Sequence, residues 1–476
     1  MITLAMTFSV RVDILSALGA EFDLSHYQQG LIITAVSWSY PVAIFVIGPL
    51  CDALGMGRLM ILACACHVLG ILLTIASPGF GFPVLLFATI LIGLGDGIAE
   101  AVFNPLVTTM YPDEKTGKIG LLHSFWPAGL IIGGVLCLMI SPFFHLSVPG
   151  VSAAAVSLSW KVKMATVLIP ALAYGVLMFG QKFPQTERAA SGVSTGDMFR
   201  EALRPGFLIL LSCMVFTAVT EVGPDQWIGS VMTDTVGIRG IWFLIYTAGI
   251  MFVMRVYAAQ LVRLLTPFGL LMLSCVSATA GLYWMSYSFT PLVALVAATF
   301  FGAGKACLWP TLIGVTSERY PRGGAFLLAL LGGTGMIVGG LAGPVMGRIY
   351  DTYTINALPA HVARVVVVDG RYSPVARERL IESEKDSAKP GPVTGVAKGN
   401  AGPASPAKPA SLATEALANA EKQGAAMTFR YAALTPILPF FAYIGLALYH
   451  RSRGGYRTVA LGPPKRRRRG DRMKSS

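Results

Sequence analysis

Residues 95–108, GDGIAEAVFNPLVT, decide the fold, because they place polar side chains inside an apolar run (83–107) long enough to span a membrane. Asp96, Glu100 and Asn104 are four residues apart, so a helix carries them on one face. An ionised side chain at mid-membrane costs roughly 2.5–3.5 kcal/mol, and such residues mark transport paths. The stretch therefore predicts a membrane helix with a functional polar stripe.

The whole chain has the composition of a membrane protein. Of its 476 residues 54% are hydrophobic and 13% are charged, about half the charged fraction of a soluble domain. We predict twelve apolar spans, at approximately 1–20, 29–50, 58–77, 83–107, 120–141, 162–180, 206–222, 240–262, 267–287, 291–313, 324–347 and 427–449. The predicted fold class is all-α, a polytopic membrane protein with 12 transmembrane helices.

The positive charge is concentrated at one end of the chain. Ten of the 37 Lys and Arg follow His450. Twelve spans put both termini on one side, and the basic tail makes that side cytoplasmic. We expect a multi-pass protein of the cell inner (cytoplasmic) membrane whose tail contacts anionic lipid rather than nucleic acid. Seven cysteines without paired spacing predict neither disulfides nor a metal site.

The two halves of the sequence repeat. GLIIGGVL (129–136) matches GMIVGGLA (335–342), and a Tyr-Pro pair precedes each. A parallel repeat of six spans is typical of carriers with a site between two halves. The predicted domains are an N-terminal six-helix half (1–180), a cytoplasmic linker (181–205), a C-terminal six-helix half (206–450) and a basic cytoplasmic tail (451–476).

An extracytoplasmic insertion is predicted at 351–426, within the second half. Its first part, HVARVVVVDGRY, has strand-like residues around an Asp-Gly turn. Its second part is rich in Ala, Pro and Gly, a composition typical of disorder.

Residues 48–58, GPLCDALGMGR, resemble the loop between spans two and three of the major facilitator superfamily. The matching positions are Gly48, Leu50, Asp52, Gly55 and Arg58. Ala53 stands where a basic residue is usual, so the motif is incomplete. The resemblance implies two pseudo-symmetric six-helix halves and a gating role for Asp52 and Arg58.

A narrower resemblance covers the opening stretch. Residues 100–108, EAVFNPLVT, resemble Glu-x-x-x-Asn-Pro-x-Val-Thr in the fourth span of fucose–proton symporter relatives, and VDIL (12–15) resembles their first span. In that family an Asp and a Glu at these places carry proton coupling and sugar binding, which implies such roles for Asp13 and Glu100. The family's fifth span reads Gln-Thr-Phe-Asn where this chain has His123-Ser-Phe-Trp126, so a polar sugar contact is replaced by Trp126.

Two cations lie inside predicted spans of the C-terminal half, Arg255 and Lys305. The offset of the repeat places Lys305 at the depth of Asp96 and Glu100, which predicts an ion pair across the cavity that solute or proton breaks. A static salt bridge is the alternative. Within the N-terminal half, Arg11 is a candidate to neutralise Asp96 or Glu100.

We therefore expect a secondary carrier that works by alternating access, with proton-coupled symport of a small polar solute such as a monosaccharide. The expected proton-coupling residues are Asp13 and Glu100, and the expected solute-binding residues are Asn104, Asp96, His123, Trp126, Arg255 and Lys305. Asp13 has the alternative of an ion pair with another helix. We expect a monomer without cofactor or metal, and no enzyme, since the sequence has no nucleophile–base pair, phosphate loop or metal-ligand spacing.

Two alternatives differ in kind. One is an organic-anion carrier or exchanger that uses Arg255 and Lys305. The other is a membrane sensor that keeps the fold and does not transport.

Overall fold

The computed structural model is almost entirely helical. It describes residues 1–24, 26–144, 152–236, 241–288, 290–368, 370–387 and 412–461. Helices satisfy their own backbone hydrogen bonds, which a membrane interior requires because it offers no water.

Seven helices form the six spans of the N-terminal half. They are α1 (Ile2–Glu21), α2 (His26–Leu54), α3 (Met56–Ala76), α4 (Phe82–Met110), α5 (Lys115–Phe143), α6 (Ala153–Thr166) and α7 (Leu168–Met178). The last two follow one another as a single span. Two short helices come next, α8 (Glu187–Ala190) and α9 (Thr195–Glu201), each begun by a side-chain cap, Thr186 and Ser194.

The C-terminal half contains the remaining helices and one small hairpin. They are α10 (Pro205–Val236), α11 (Ile241–Val256), α12 (Ala258–Leu265), α13 (Pro267–Met285), α14 (Pro291–Ala306), α15 (Leu308–Arg319), α16 (Gly324–Ala357), α17 (Ala360–Val366), β1 (Val367–Val368), β2 (Arg371–Tyr372), α18 (Pro374–Ser387), α19 (Leu412–Leu434) and α20 (Ile437–Ser452).

The predicted number of spans is confirmed. Among the described residues, eleven spans are long and apolar enough to cross a membrane, and the pair α11–α12, bent by 65°, makes a twelfth if it is taken as one span. Some boundaries differ: the sixth span begins at Ala153, and α10 continues to Val236 although the apolar pattern ends near 222. Charged residues lowered the hydropathy of these extensions, yet the fold pairs them, as with Lys161 and Glu21.

The prediction of strand-like structure at 361–372 is mostly wrong. Only β1 and β2 pair, antiparallel, while the residues before them form α17. Gly370, with φ of +72°, makes the predicted turn. Packing overrides the β-propensity, because Val362 and Val366 are buried against α19. The Ala/Pro/Gly-rich segment (388–411) and the basic run 465–469 lie outside the described residues.

The two halves meet at the end of the bundle that carries α8 and α9, which we call the linker end. Helix α2 packs on α16 there, and α5 packs on α11, α12 and α15. Gly48 and Gly120 permit this approach, because a Cβ would lie 2.2 Å from the Cβ of Ala329 and 2.3 Å from that of Ala258. Among the described residues, the hydrogen bonds that join the halves all lie between the linker end and the level of Arg255.

Candidate functional site

The polar stripe of α4 is buried, as its spacing predicts. Asp96, Glu100 and Asn104 are each at most 5% exposed. Buried polar groups need partners, since an unpaired one costs about 1–3 kcal/mol. The partners of these three side chains therefore indicate what the stripe does.

Glu100 has a neutral partner. The hydroxyl of Tyr40, on α2, donates a hydrogen bond to Glu100 Oε2. Glu100 Oε1 faces the other half of the molecule, because a Cβ on Gly332 of α16 would lie 3.4 Å from it. The carboxyl group thus lies where α2, α4 and α16 meet, between the two halves.

Asn104 connects the stripe to α5 and, through α5, to the C-terminal half. His123 Nε2 lies 3.1 Å from Asn104 Oδ1, and the amide group of Asn104 also donates to the carbonyl oxygen of Glu100 at 3.4 Å. The carbonyl oxygen of His123 accepts a hydrogen bond of 3.2 Å from Arg255 Nη1. The structure therefore brings Asn104, His123 and Arg255 together, and their role as site residues stays a prediction.

Asp96 makes its direct contact with His67, and Arg11 of α1, the predicted neutralising residue, acts on Asp96 electrostatically without an ion pair among the described residues. His67 Nε2 lies 2.9 Å from Asp96 Oδ1, and Nδ1 lies 2.8 Å from the hydroxyl of Tyr174 on α7. Because a carboxylate oxygen only accepts, Nε2–H of His67 donates to Asp96. The imidazole fits against α4 because Gly95 has no side chain; a Cβ there would lie 2.8 Å from the ring.

Asp13 is held away from this stripe. Lys163 of α6 donates to Asp13 Oδ2 at 2.6 Å, and the Asp13 side chain is 34% exposed. The alternative of an ion pair with another helix is what the structure contains. Trp126, one turn beyond His123, is half-buried and packs on Phe8 of α1 with ring centroids 6.3 Å apart.

Two ion pairs of the C-terminal half join α10 to α11 and to α14. Arg255 Nη2 donates to Glu221 Oε1 at 2.7 Å, and its Nε donates to the carbonyl oxygen of Ala306 at 2.7 Å. Lys305 donates to Asp225 and lies 3.4 Å from the hydroxyl of Thr247.

The predicted ion pair between Lys305 and the acids of α4 is wrong. Lys305 is neutralised by Asp225 on α10, in its own half. The offset of the sequence repeat gave Lys305 the same depth in the membrane as Asp96 and Glu100. A lysine, however, pairs with the nearest carboxylate that the fold brings within reach.

Sequence reasoning missed Glu221 and Asp225. Both lie on α10 with the same four-residue spacing that identified the α4 stripe. The predicted span ended at 222 because these acids and Pro224 lower the local hydropathy. Glu221 Oε2 is buried and has no hydrogen-bond partner among the described residues.

Of the two residues predicted to gate, Asp52 has partners from the linker, whereas Arg58 does not join them. Asp52 Oδ2 accepts from Arg188 Nε at 2.6 Å, and Oδ1 accepts from the hydroxyl of Thr186. Arg58 is exposed, so the linker helix α8 supplies the cation in its place.

A second contact at the linker end, which the sequence did not indicate, joins the halves directly. Glu318 of α15 accepts from the backbone N–H of Thr116 at 3.0 Å and from its hydroxyl at 2.6 Å. The hydroxyl of Tyr456, after α20, donates to the other oxygen of Glu318 at 2.5 Å.

Comparison with solved structures supports this architecture. The chain superposes on the major facilitator transporter FucP in its outward conformation with a TM-score of 0.62, at 19% identity, over 73% of this chain and 89% of FucP. It superposes on the proton:xylose symporter XylE, bound to 6-bromo-6-deoxy-D-glucose, with a TM-score of 0.57, at 15% identity, over 72% of this chain and 84% of XylE. At these identities the likeness shows the fold alone.

The sequence relatives align with a smaller part of this chain than the solved structures do. A hexuronate transporter of Bacillus subtilis is 28% identical over 202 residues, 42% of this chain and 44% of the relative. A glucose transport protein of Synechocystis is 28% identical over 172 residues, 34% of this chain and 35% of the relative. The chain thus matches less than half the length of each.

The sequence profile of the Major Facilitator Superfamily matches residues 1–344, well over half of the chain. With twelve spans, a closed linker end and buried polar groups between two halves, this match identifies the protein as a multi-pass membrane protein that belongs to the major facilitator superfamily of transporters.

Proposed function

We propose that this transporter is a proton-coupled symporter of a small uncharged polar solute, with a monosaccharide as the first candidate. The observation that carries the proposal is the position of Glu100. It is buried between the halves, and its hydrogen-bond donor among the described side chains is the neutral hydroxyl of Tyr40.

The physical argument starts from the cost of an uncompensated charge. An ionised carboxylate inside a membrane protein is unfavourable unless a cation pairs with it, and otherwise the group binds a proton instead. Movement of one half against the other changes the surroundings of Glu100, since α16 of the C-terminal half lies against it. Proton binding at Glu100 would thereby depend on which end of the carrier is open.

The solute site is proposed beside this residue. Asn104 and His123 offer hydrogen-bonding groups for hydroxyls, and Trp126 offers an aromatic surface on which the apolar face of a sugar ring packs. The names of similar proteins support a sugar, since a glucose transport protein and a D-xylose transporter are among them.

Asp13 is proposed as a subordinate coupling residue. Its ion pair with Lys163 would break when Asp13 binds a proton. Asp52, held by Arg188, is proposed as part of the gate at the linker end.

The orientation is also a proposal. Basic residues are frequent at the linker end, which supports a cytoplasmic linker and cytoplasmic termini in the cell inner membrane. They include Arg58, Lys115, Lys118, Lys182, Arg188, Arg200, Arg204, Arg263, Arg319 and Arg322. With contacts joining the halves at this end, the solute would enter from the opposite side. The protein is proposed to act as a monomer.

The test uses purified protein in liposomes that contain a pH-sensitive dye. Hexoses and small organic acids are added separately outside, and internal acidification is followed for the unsubstituted protein and Glu100→Gln. We expect a hexose-evoked proton influx that Glu100→Gln abolishes, while exchange of labelled for unlabelled hexose is retained because Gln resembles the protonated side chain.

Glu415→Gln is the matched control, because it removes the same charge from an exposed position on α19. It should behave like the unsubstituted protein. Acid-evoked flux without any response to hexoses would favour the organic-anion carrier, and binding without flux would favour a sensor.

A further inference from the structure

The two buried ion pairs of the C-terminal half have a common arrangement. Each cation comes from a helix that packs on α10, Arg255 from α11 and Lys305 from α14. Each carboxylate comes from α10 itself, Glu221 and Asp225. The set therefore contains two positive and two negative charges, and it is neutral as a whole.

In both pairs the carboxylate is the more accessible member. The Lys305 side chain is 1% exposed against 24% for Asp225, and the Arg255 side chain is 2% exposed against 11% for Glu221. Asp225 is followed on α10 by the exposed Gln226. Each cation therefore lies behind a carboxylate of the protein.

Besides its ion pair with Asp225, Lys305 has an electrostatic interaction with Glu221, one turn away on α10, and two weaker neutral contacts. Its ammonium group lies 4.9 Å from the centre of the Phe301 ring and 3.4 Å from the hydroxyl of Thr247. Asp225 is thus its ion-pair partner, and a buried ammonium without such a partner is strongly unfavourable.

We propose that Asp225 and Glu221 determine the charge specificity of the solute site by masking Lys305 and Arg255. With Lys305 and Arg255 both neutralised from within, the C-terminal half offers neither of these two cations to a solute. Glu221 Oε2, which has no donor among the described residues, adds negative potential that repels an anion. The site then accepts uncharged polyhydroxy solutes and rejects their acids, such as hexuronates, by an unfavourable charge contact.

The inference rests on the proposed function in naming a sugar, but its test does not depend on that choice. Asp225→Ala removes the carboxylate and the side chain that covers Lys305. The carboxylate of an external solute then has both the space and the counter-charge that Asp225 had. We expect the ratio of D-galacturonate to D-galactose uptake in liposomes to rise by roughly ten- to a hundredfold, as for one charge-assisted hydrogen bond.

The control is the double variant Asp225→Ala/Lys305→Met, which has the same space without the cation. It should show the ratio of the unsubstituted protein. A rise of equal size in the double variant would show that space rather than charge is responsible, and would overturn the inference.

A second measurement needs no transport. Acetate should raise the midpoint of thermal unfolding of Asp225→Ala in a saturable way, because it takes the vacated carboxylate position, and should leave the double variant unchanged. Asp225→Ser, which also shortens the side chain, is compared in the same way if the alanine variant does not fold.

The outcomes separate this inference from the proposed function. Hexose-driven proton influx in the unsubstituted protein tests the function alone. A gain of galacturonate uptake or binding in Asp225→Ala supports masking even if no hexose is transported. Galacturonate uptake by the unsubstituted protein, or an unchanged ratio with no acetate effect, would refute masking whatever the hexose result.

Discussion

The α4 stripe and the acids of α10 share a spacing and differ in their partners. Glu100 of α4 accepts from a neutral tyrosine, whereas Glu221 and Asp225 of α10 each meet a cation. A buried acid with a neutral partner can exchange a proton at small cost to the structure. A buried acid with a cationic partner is fixed in its charge, because its loss leaves the cation uncompensated. Under the proposed function, the N-terminal half would exchange the proton, whereas the C-terminal half would keep its charges balanced.

The largest effect should follow from breaking a C-terminal pair. Arg255→Met leaves Glu221 buried without a cation and removes the hydrogen bond to His123, so we expect a loss of about 3–5 kcal/mol in the free energy of unfolding. Reversible unfolding in mixed detergent measures it. Arg255→Met/Glu221→Leu should recover most of the loss, and an equally unstable double variant would show that the pairing is not the cause.

The next largest effect is expected where α5 of the N-terminal half packs against α11 and α12 of the C-terminal half. Gly120→Ala places a methyl group against Ala258, which should push α5 away from α11 and α12 and destabilise the closed linker end by about 1–3 kcal/mol. Labelling of a single cysteine introduced at the linker end should become faster. Gly134→Ala on the same helix is the control, because no atom lies within 4 Å of its Cβ position.

A smaller effect is expected at Glu100. Tyr40→Phe removes the donor to Glu100 Oε2 and should cost roughly 1–3 kcal/mol, nearer the lower value because Glu100 can bind a proton in response. Thermal unfolding measures it. In the Glu100→Gln background the same change should cost less, and equal costs in both backgrounds would argue against the hydrogen bond.

The smallest effect is expected at Asp13. Its pair with Lys163 is partly exposed on the Asp13 side, and Asn keeps an oxygen that can accept from the ammonium group of Lys163, so Asp13→Asn should change the free energy of unfolding by about 1 kcal/mol or less. Proton-driven uptake should fall less than in Glu100→Gln. A complete loss of coupling in Asp13→Asn would move the main coupling residue to α1.

The sequence was sufficient for features that depend on periodicity. Twelve spans follow from apolar length, and the buried stripe of α4 follows from four-residue spacing. It was not sufficient where the outcome depends on which helices pack together. Lys305 pairs with a carboxylate on α10, and Asp52 pairs with Arg188 in the linker instead of with Arg58, which is closer in sequence.

The missed acids of α10 illustrate the same limit. A hydropathy window ends the span at Glu221 and Asp225, because it assigns each charged residue the transfer free energy of an unpaired side chain. In the fold that cost is largely offset by Arg255 and Lys305, which lie many residues away in sequence. The spacing of the two acids was visible, but its meaning depended on partners from α11 and α14.

Glu318 has a consequence for the speed of the carrier. By accepting from the backbone N–H of Thr116, it serves as a helix cap for α5 that is supplied by the opposite half of the molecule. Opening the linker end uncaps α5, at a cost of about 0.5–2 kcal/mol before water replaces the lost acceptor. That energy is a small multiple of thermal energy, so thermal motion is sufficient to break this contact. In the proposed transport cycle, the contact would therefore stabilise the closed linker end without preventing its opening.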